Sequence, residues 1–395
     1  RSKGDQKRGS GSLEGSLRAP KNILFIIPTG QSVHAFFIPL FLHLIKNGVQ
    51  VFVISDFSKK GNTFSWKTSL PPEVKKIDYP IPRIPNPLKI WNCKRTIEKI
   101  ILTESIEMVS GQFLMGSILS SFIKKDKAIF RTSMLHSLVE KDFPLLKRTL
   151  IKALEIIIIL NSDWVWVLNK NDEKRVKWCK RTSRIPGFGF GVDFERFQNS
   201  SNLAPASLKS IKRTLPTLLF TGRLIPGKGI FVLFRAMKDL NGKVQLLICG
   251  DVDPAYPIKL EEIPSNVFLF GWQNDLVPFF KKSHFFIFPS KREAISVGVM
   301  EAMYNGLPVI GTNVKGVGEL IEDTKDGFLI RESTPKGIIT TINQALSYFD
   351  QLELMSENVR SKAIKHFDRT LASSIIYNDF LEKFNSKIRT PQTWS

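Results

Sequence analysis

Two glutamates eight residues apart, Glu293 and Glu301, flank a run of small residues in Ser290–Gly306, SKREAISVGVMEAMYNG. The stretch from Ser296 reads as a helix that stops at Gly306, with Glu293 in the loop before it and Glu301 inside it. Seventy residues upstream stands GRLIPGKG, with Gly222, Arg223, Lys228 and Gly229. Glycines let backbone approach a phosphate closely, Arg223 and Lys228 add two cations, and a helix start adds partial positive charge. Carboxylates accept hydrogen bonds from sugar hydroxyls, and the amides of Ser296 and Val297 can meet a phosphate at the helix start. Together these groups could hold a sugar on a diphosphate. Each motif alone also fits a blander reading, a basic loop or a pair of solvated glutamates.

The elements that must carry these groups alternate between strand and helix. Apolar runs at Ile23–Ile27, Val51–Ser55, Met108–Ser110, Ala128–Arg131 and Trp164–Leu168 read as strands, with a helix over Phe36–Lys46 ending at Asn47-Gly48. A second series follows at Thr217–Thr221, Gln245–Cys249, Val267–Phe270, Phe285–Phe288, Val309–Gly311 and Gly327–Ile330. Helices are expected near 229–240, 275–282, 296–305, 316–322 and 334–349, then two more across 354–388. Such alternation implies parallel sheets covered on both faces. Two such units would face each other across a cleft, and the motifs, lying just after strands, would point into it. Residues 70–87 read as an irregular Pro-rich loop, and 199–215 as the linker.

The chain has 395 residues, more than one ordinary domain. With 43% hydrophobic and 24% charged residues its composition is that of a soluble globular protein. Cys93, Cys179 and Cys249 form no CxxC pair, which argues against a disulfide framework or zinc site and fits a reducing cytoplasm. The longest apolar run, Leu154–Leu160, is too short to cross a bilayer. The Gly- and Ser-rich opening 1–20 reads as a tag or disordered tail. The net charge is +21 and lopsided: residues 1–200 hold 33 Lys and Arg against 17 Asp and Glu, the remainder 24 against 19. Such a basic half fits nucleic acid, an anionic membrane or an anionic substrate; no recognisable nucleic-acid module accompanies it.

GRLIPGKG, EAISVGVME, AMYNGLPVIGTNVKGVGELI and IPGFGFGVDFERF, in this order and spacing, resemble the GRL-x-x-x-KG, E-x7-E, Gly-Pro-Val and GVD-x-x-RF elements of retaining glycosyltransferases with the GT-B fold, family 4. The resemblance spans residues 22 to about 370. It implies two Rossmann-like domains: 21–200 receiving the acceptor, 201–370 holding the nucleotide sugar, and 371–395 a helix returning to the first. By resemblance Arg223 and Lys228 bind the diphosphate, Glu293 the donor sugar and Glu301 the ribose. The amides of Ser296 and Val297 meet the phosphates, and Gly271-Trp272 lies near the base. For Trp272 stacking and core packing both remain open.

His136 matches a family histidine near the donor sugar, a satisfied loop histidine being the alternative. Gly30 and Gln31 occupy the acceptor-side loop; His34 and His43 are read as structural. Val109–Ser117 departs from the family in lacking its histidine. The implied reaction transfers a sugar with retention from a nucleotide donor, UDP first and GDP second, to a glycan or lipid-linked acceptor of surface-polysaccharide or lipopolysaccharide assembly. No cofactor or metal is expected: Asp251-Val252-Asp253 has the letters of a metal-binding pair but is read as shaping the nucleotide loop. A basic and apolar segment, with Lys124, Lys125, Lys127, Lys141, Lys147, Arg148 and Lys152 beside Leu145, Leu146, Leu150, Ile151 and Leu154, suits an anionic membrane; an ordinary core helix fits Leu145–Leu160 equally. The expected location is the cytoplasm, peripheral on the inner face of the membrane. The rival readings are a GT-B sugar-nucleotide epimerase and a basic nucleic-acid-binding protein.

Overall fold

A computed structural model describes residues 17–58, 70–82, 84–140, 143–209, 211 and 214–389. Two all-parallel sheets organise them. The first holds β1 (Asn22–Thr29), β2 (Gln50–Asp56), β3 (Lys75–Asp78), β4 (Met108–Gln112), β5 (Phe130–Leu135), β6 (Trp164–Val167) and β7 (Thr182–Arg184), in the order β3-β2-β1-β4-β5-β6-β7. The second holds β8 (Thr217–Thr221), β9 (Gln245–Cys249), β10 (Val267–Leu269), β11 (Phe285–Phe288), β12 (Val309–Thr312) and β13 (Gly327–Ile330), in the order β10-β9-β8-β11-β12-β13. This is the two-domain α/β arrangement that the resemblance implied.

Continuous apolar strands such as Ile23–Ile27 exist because both faces are covered. In β1, Ile23, Phe25 and Ile27 pack with Phe37, Phe41 and Phe380, while Leu24 and Ile26 join Ile97, Ile118 and Ile158 on the opposite face. The second domain has a core of its own, from Leu218 and Phe220 to Phe286, Met300 and Ile342.

The chain crosses between the domains twice, and the crossings touch. Val192 N donates to Phe367 O at 2.7 Å and Arg369 N to Val192 O at 3.0 Å. Gly191 is required there: its φ is +68°, and a Cβ would lie 2.7 Å from Arg369 Cα. The final helix, Arg369–Arg389, then lies on the first domain, with Phe380 and Phe384 in its core and Trp166 Nε1 donating to Asp379.

Several local expectations need correction. The stretch 70–87 contains an edge strand, β3, and β7 is a second short edge strand. The strand expected at 128–131 is β5, starting at Phe130. The first helix begins earlier and passes through a π-helical turn, Val33–Phe37, before Ile38–Lys46. Residues 316–320 are turns rather than helix. In the stretch read as linker, Leu208 and Ile211 are buried against the second core. Of the expected tail, 1–16 lie outside the described residues, whereas Arg18 exchanges hydrogen bonds with Asn385 at 3.1 and 2.8 Å. No described helix is long and apolar enough to cross a membrane.

Candidate functional site

The loops after β8, β9, β10 and β11 meet at the carboxyl ends of neighbouring strands, and their backbones are tied together. Gly222 N donates to Cys249 O at 3.0 Å, Leu224 N to Asp251 O at 3.0 Å and Gly250 N to Gly271 O at 2.8 Å. Lys291 N donates to Gly227 O at 2.9 Å, joining the GRLIPGKG loop to the loop of Glu293. Gly229 makes that approach feasible. Its φ is +76°, and a Cβ would lie 2.0 Å from Pro289 O.

These ties bring the two motifs into contact. Lys228 Nζ lies 2.5 Å from Glu293 Oε1, with the two side chains 26% and 12% exposed. Ser290 Oγ donates to the same Oε1 at 2.8 Å, and Lys228 sits 5.0 Å over the Phe288 ring. A half-buried cation is thus held against a half-buried carboxylate at the mouth of the strands. Arg223 is exposed, its guanidinium 3.8 Å from Asp253 Oδ2. Asp251 Oδ1 accepts from Trp272 N at 3.0 Å. The aspartates at 251 and 253 are therefore engaged in holding loops and Arg223. The Trp272 indole is 42% exposed, which sets core packing aside, and its Nε1 donates to Asn274 Oδ1 at 3.2 Å.

Ser296 caps the helix Val297–Tyr304, its Oγ accepting from Val299 N at 3.4 Å. Glu301 lies one turn in, 3.7 Å from Arg196. Burial pushes its carboxyl above the usual range, while Arg196 and Arg369 pull it back. Arg369 in turn donates to Asp193 at 2.9 Å.

Across the cleft, His136 follows β5 and is boxed by aromatic rings. Phe113 stacks on it at 3.7 Å between centroids, with Phe190 at 5.7 Å and Phe37 at 6.2 Å. Phe113 takes a positive φ of 58°, a strained conformation for an aromatic residue at the end of β4. Burial holds the imidazole down at about 3, so it is neutral near pH 7. It shares a hydrogen bond with Gln112 Oε1 at 3.2 Å. Gly30 is buried at the end of β1, where Thr29 Oγ1 accepts from Ser32 N, and Gln31 is exposed beside it.

The structure therefore joins Lys228 to Glu293, places Arg223, Gly271 and Trp272 on neighbouring loops, and puts His136, Gly30 and Gln31 on the other domain. It adds Ser290, Gln112, Phe113, Phe190, Arg196 and Arg369, which sequence reading passed over. Of these, Phe190 and Arg196, within IPGFGFGVDFERF, and Ser290, at the start of SKREAISVGVMEAMYNG, stood in quoted motifs.

Residues 208–362 match the glycosyl transferases group 1 family. This segment contains Arg223, Lys228, Gly271, Trp272, Glu293, Ser296, Val297 and Glu301, but neither Arg196 nor Arg369. The chain is similar to the capsular polysaccharide biosynthesis glycosyltransferase CapM of Staphylococcus aureus, 26% identical over 216 residues, 52% of this chain and 56% of that protein. It is also similar to the UDP-Gal:alpha-D-GlcNAc-diphosphoundecaprenol alpha-1,3-galactosyltransferase of Escherichia coli, 30% identical over 192 residues, 45% of this chain and 49% of that one. The chain spans about half the length of these two relatives. Among solved structures, sucrose-phosphate synthase from Thermosynechococcus elongatus superposes with a TM-score of 0.72 at 17% identity, covering 93% of this chain and all of that one. That likeness establishes the GT-B fold.

Proposed function

We propose that this protein is a family 4 glycosyltransferase that moves a hexosyl or N-acetylhexosaminyl group, with retention and without a metal, from a UDP-sugar to a glycan or lipid-linked acceptor of surface-polysaccharide assembly; a GDP-sugar is the second choice of donor. The observation that carries this reading is the Lys228–Glu293 pair, which unites the two motifs at one point. Lys228 and Arg223 stand where a departing diphosphate gathers charge, with the amides of Ser296 and Val297 at a helix start. Glu293 takes the donor sugar and Glu301 the ribose, with Arg196 and Arg369 setting the charge around Glu301. Gly271 and Trp272 flank the base.

The bond between the anomeric carbon and the phosphate oxygen breaks, and the nucleoside diphosphate leaves with the electron pair. The acceptor hydroxyl oxygen bonds to the same face, and its proton passes to the departing phosphate. The protein supplies position and charge stabilisation. Neutral His136 can hydrogen-bond the sugar but does not deliver a proton as an imidazolium near pH 7. Gly30 and Gln31 face the acceptor.

UDP and a diphospholipid acceptor are favoured because the similar E. coli enzyme is named for both. An anionic membrane partner is supported by Leu145, Leu146 and Leu150, which are 61–86% exposed at the start of the helix Leu145–Asn161 beside Lys147 and Lys152. Leu88 and Trp91, in the helix Pro87–Thr103, and Ile84 just before it are exposed as well. The corresponding location is peripheral, on the cytoplasmic face. The test is the anomeric configuration of the product formed with a polyprenyl-diphosphate glycan acceptor, read by NMR. Retention supports the reading. Inversion overturns it, and epimerised nucleotide sugar without transfer favours the epimerase.

A further inference from the structure

The cleft holds a cavity of about 560 Å³, lined by Lys152 and Arg175 from one domain and by Lys291, Arg292 and Lys315 from the other. None of Arg223, Lys228, Glu293, Ser296, Val297 or Glu301 lines it. It is therefore distinct from the donor constellation, although Arg292 directly precedes Glu293.

Its floor is built and charge-matched. Buried Lys315 reaches across the domain boundary and donates from Nζ to Asp172 Oδ1 at 2.9 Å and to Leu138 O at 2.9 Å, and it also pairs with Glu140. Asp172 is fully buried and accepts from Arg175 at 3.3 Å as well. A second tie across the same boundary runs from Asn169 Nδ2 to Ala294 O, at 3.3 Å. These bonds fix the floor relative to the Glu293 loop.

The walls are different. Lys152 and Lys291 are exposed, and among the described residues neither ammonium has a hydrogen-bond or ion-pair partner. The Arg292 guanidinium lies 4.6 Å over the Phe143 ring. Asp172 and Glu140 balance Lys315 and Arg175, leaving the lining with positive charge at Lys152 and Lys291 that no carboxylate among the described residues pairs. A positive excess in a cleft attracts anions over roughly the 8 Å Debye length, and ammonium and guanidinium groups are the usual phosphate partners. A cavity of this size accommodates a phosphate or diphosphate with an attached sugar.

We propose that this cavity binds the phosphate or diphosphate group of the acceptor. The role as an acceptor subsite rests on the transferase reading above; the anion site itself does not. Calorimetry on the full chain separates the two. Titrating UDP reports the donor site, and titrating inorganic pyrophosphate into the UDP-loaded chain reports the cavity. In a Lys152→Gln, Lys291→Gln double variant, pyrophosphate is expected to bind at least about tenfold more weakly, with UDP affinity and melting temperature unchanged. Equal pyrophosphate affinity in both proteins overturns the proposal. Lowered pyrophosphate affinity in a chain that binds no nucleotide keeps the anion site and refutes the transferase reading. Two competitors then assign the source. Displacement by a polyprenyl diphosphate in phosphatidylcholine vesicles supports a lipid headgroup, and displacement by a hexose 1-phosphate alone supports a soluble sugar phosphate. Displacement by neither overturns the acceptor assignment.

Discussion

Glu293→Gln separates two things this side chain does. Its Oε1 is held by Lys228 at 2.5 Å and by Ser290 at 2.8 Å, in a pair only 26% and 12% exposed. A diphosphate that takes Lys228 must therefore draw it from Glu293. The amide keeps the volume and an oxygen for Ser290 but loses the charge. A hydrogen bond to a charged group contributes about 1.5–3 kcal/mol, and each 1.4 kcal/mol is about tenfold in affinity. Sugarless UDP, which draws on Lys228 but not on the Glu293 carboxylate, should bind the variant as well as the native chain or up to about tenfold more tightly. The UDP-sugar also needs the carboxylate, so it should bind about 10- to 150-fold more weakly. Turnover, measured as kcat/KM for nucleotide release, should fall at least about 100-fold. Calorimetry with both ligands and a release assay read the three quantities. If UDP and UDP-sugar weaken by the same factor, Glu293 only supports the loop and the reasoning fails; unchanged turnover refutes it as well.

Other expectations follow from the same geometry. A depressed His136 pKa contributes stability that is fully present above about 6.5 and lost as the pH falls toward about 3, because the unfolded chain binds the proton first. Moving an imidazole over that range corresponds to at most about 5 kcal/mol. His136→Phe should therefore unfold less steeply with acid between pH 6.5 and 4, and an NMR titration placing proton uptake near 6.5 would contradict this. Gly229→Ala should cost several kcal/mol and abolish nucleotide binding, since its Cβ would meet Pro289 O at 2.0 Å. Gly242→Ala, at a similar φ of +77° but with nothing within 4 Å, should cost only about 1–2 kcal/mol in thermal melts. Binding to anionic vesicles should fall with added salt, and further in Leu146→Ser, Leu150→Ser; salt-independent binding would count against the basic face.

The central strands were legible because burial on both faces demands continuous apolar runs, as in Leu218–Phe220 or Phe285–Phe288. The two edge strands of the first sheet were not. Lys75–Asp78 and Thr182–Arg184 are short and polar, and they are strands because a neighbour offers them a ladder. The same contrast holds at the site. Lys228 and Glu293 each stood inside a motif, so their pairing could be anticipated. The stack of Phe113 on His136 depends on β4 and β5 lying side by side, and the Arg369 beside Glu301 depends on where the chain recrosses the domains. Those contacts join residues with no local pattern in common. The lopsided charge was visible in composition, but only the fold gathers Lys152, Lys291 and Arg292 around one cavity.

The most direct test is nucleotide release from UDP-, GDP-, ADP- and CMP-sugars in EDTA, with the native chain beside Glu293→Ala and in the presence of a polyprenyl-diphosphate acceptor. Metal-independent release from a UDP-sugar that the substitution abolishes is the predicted result. Release that requires added Mg²⁺ or Mn²⁺, or that survives the substitution, would contradict the account.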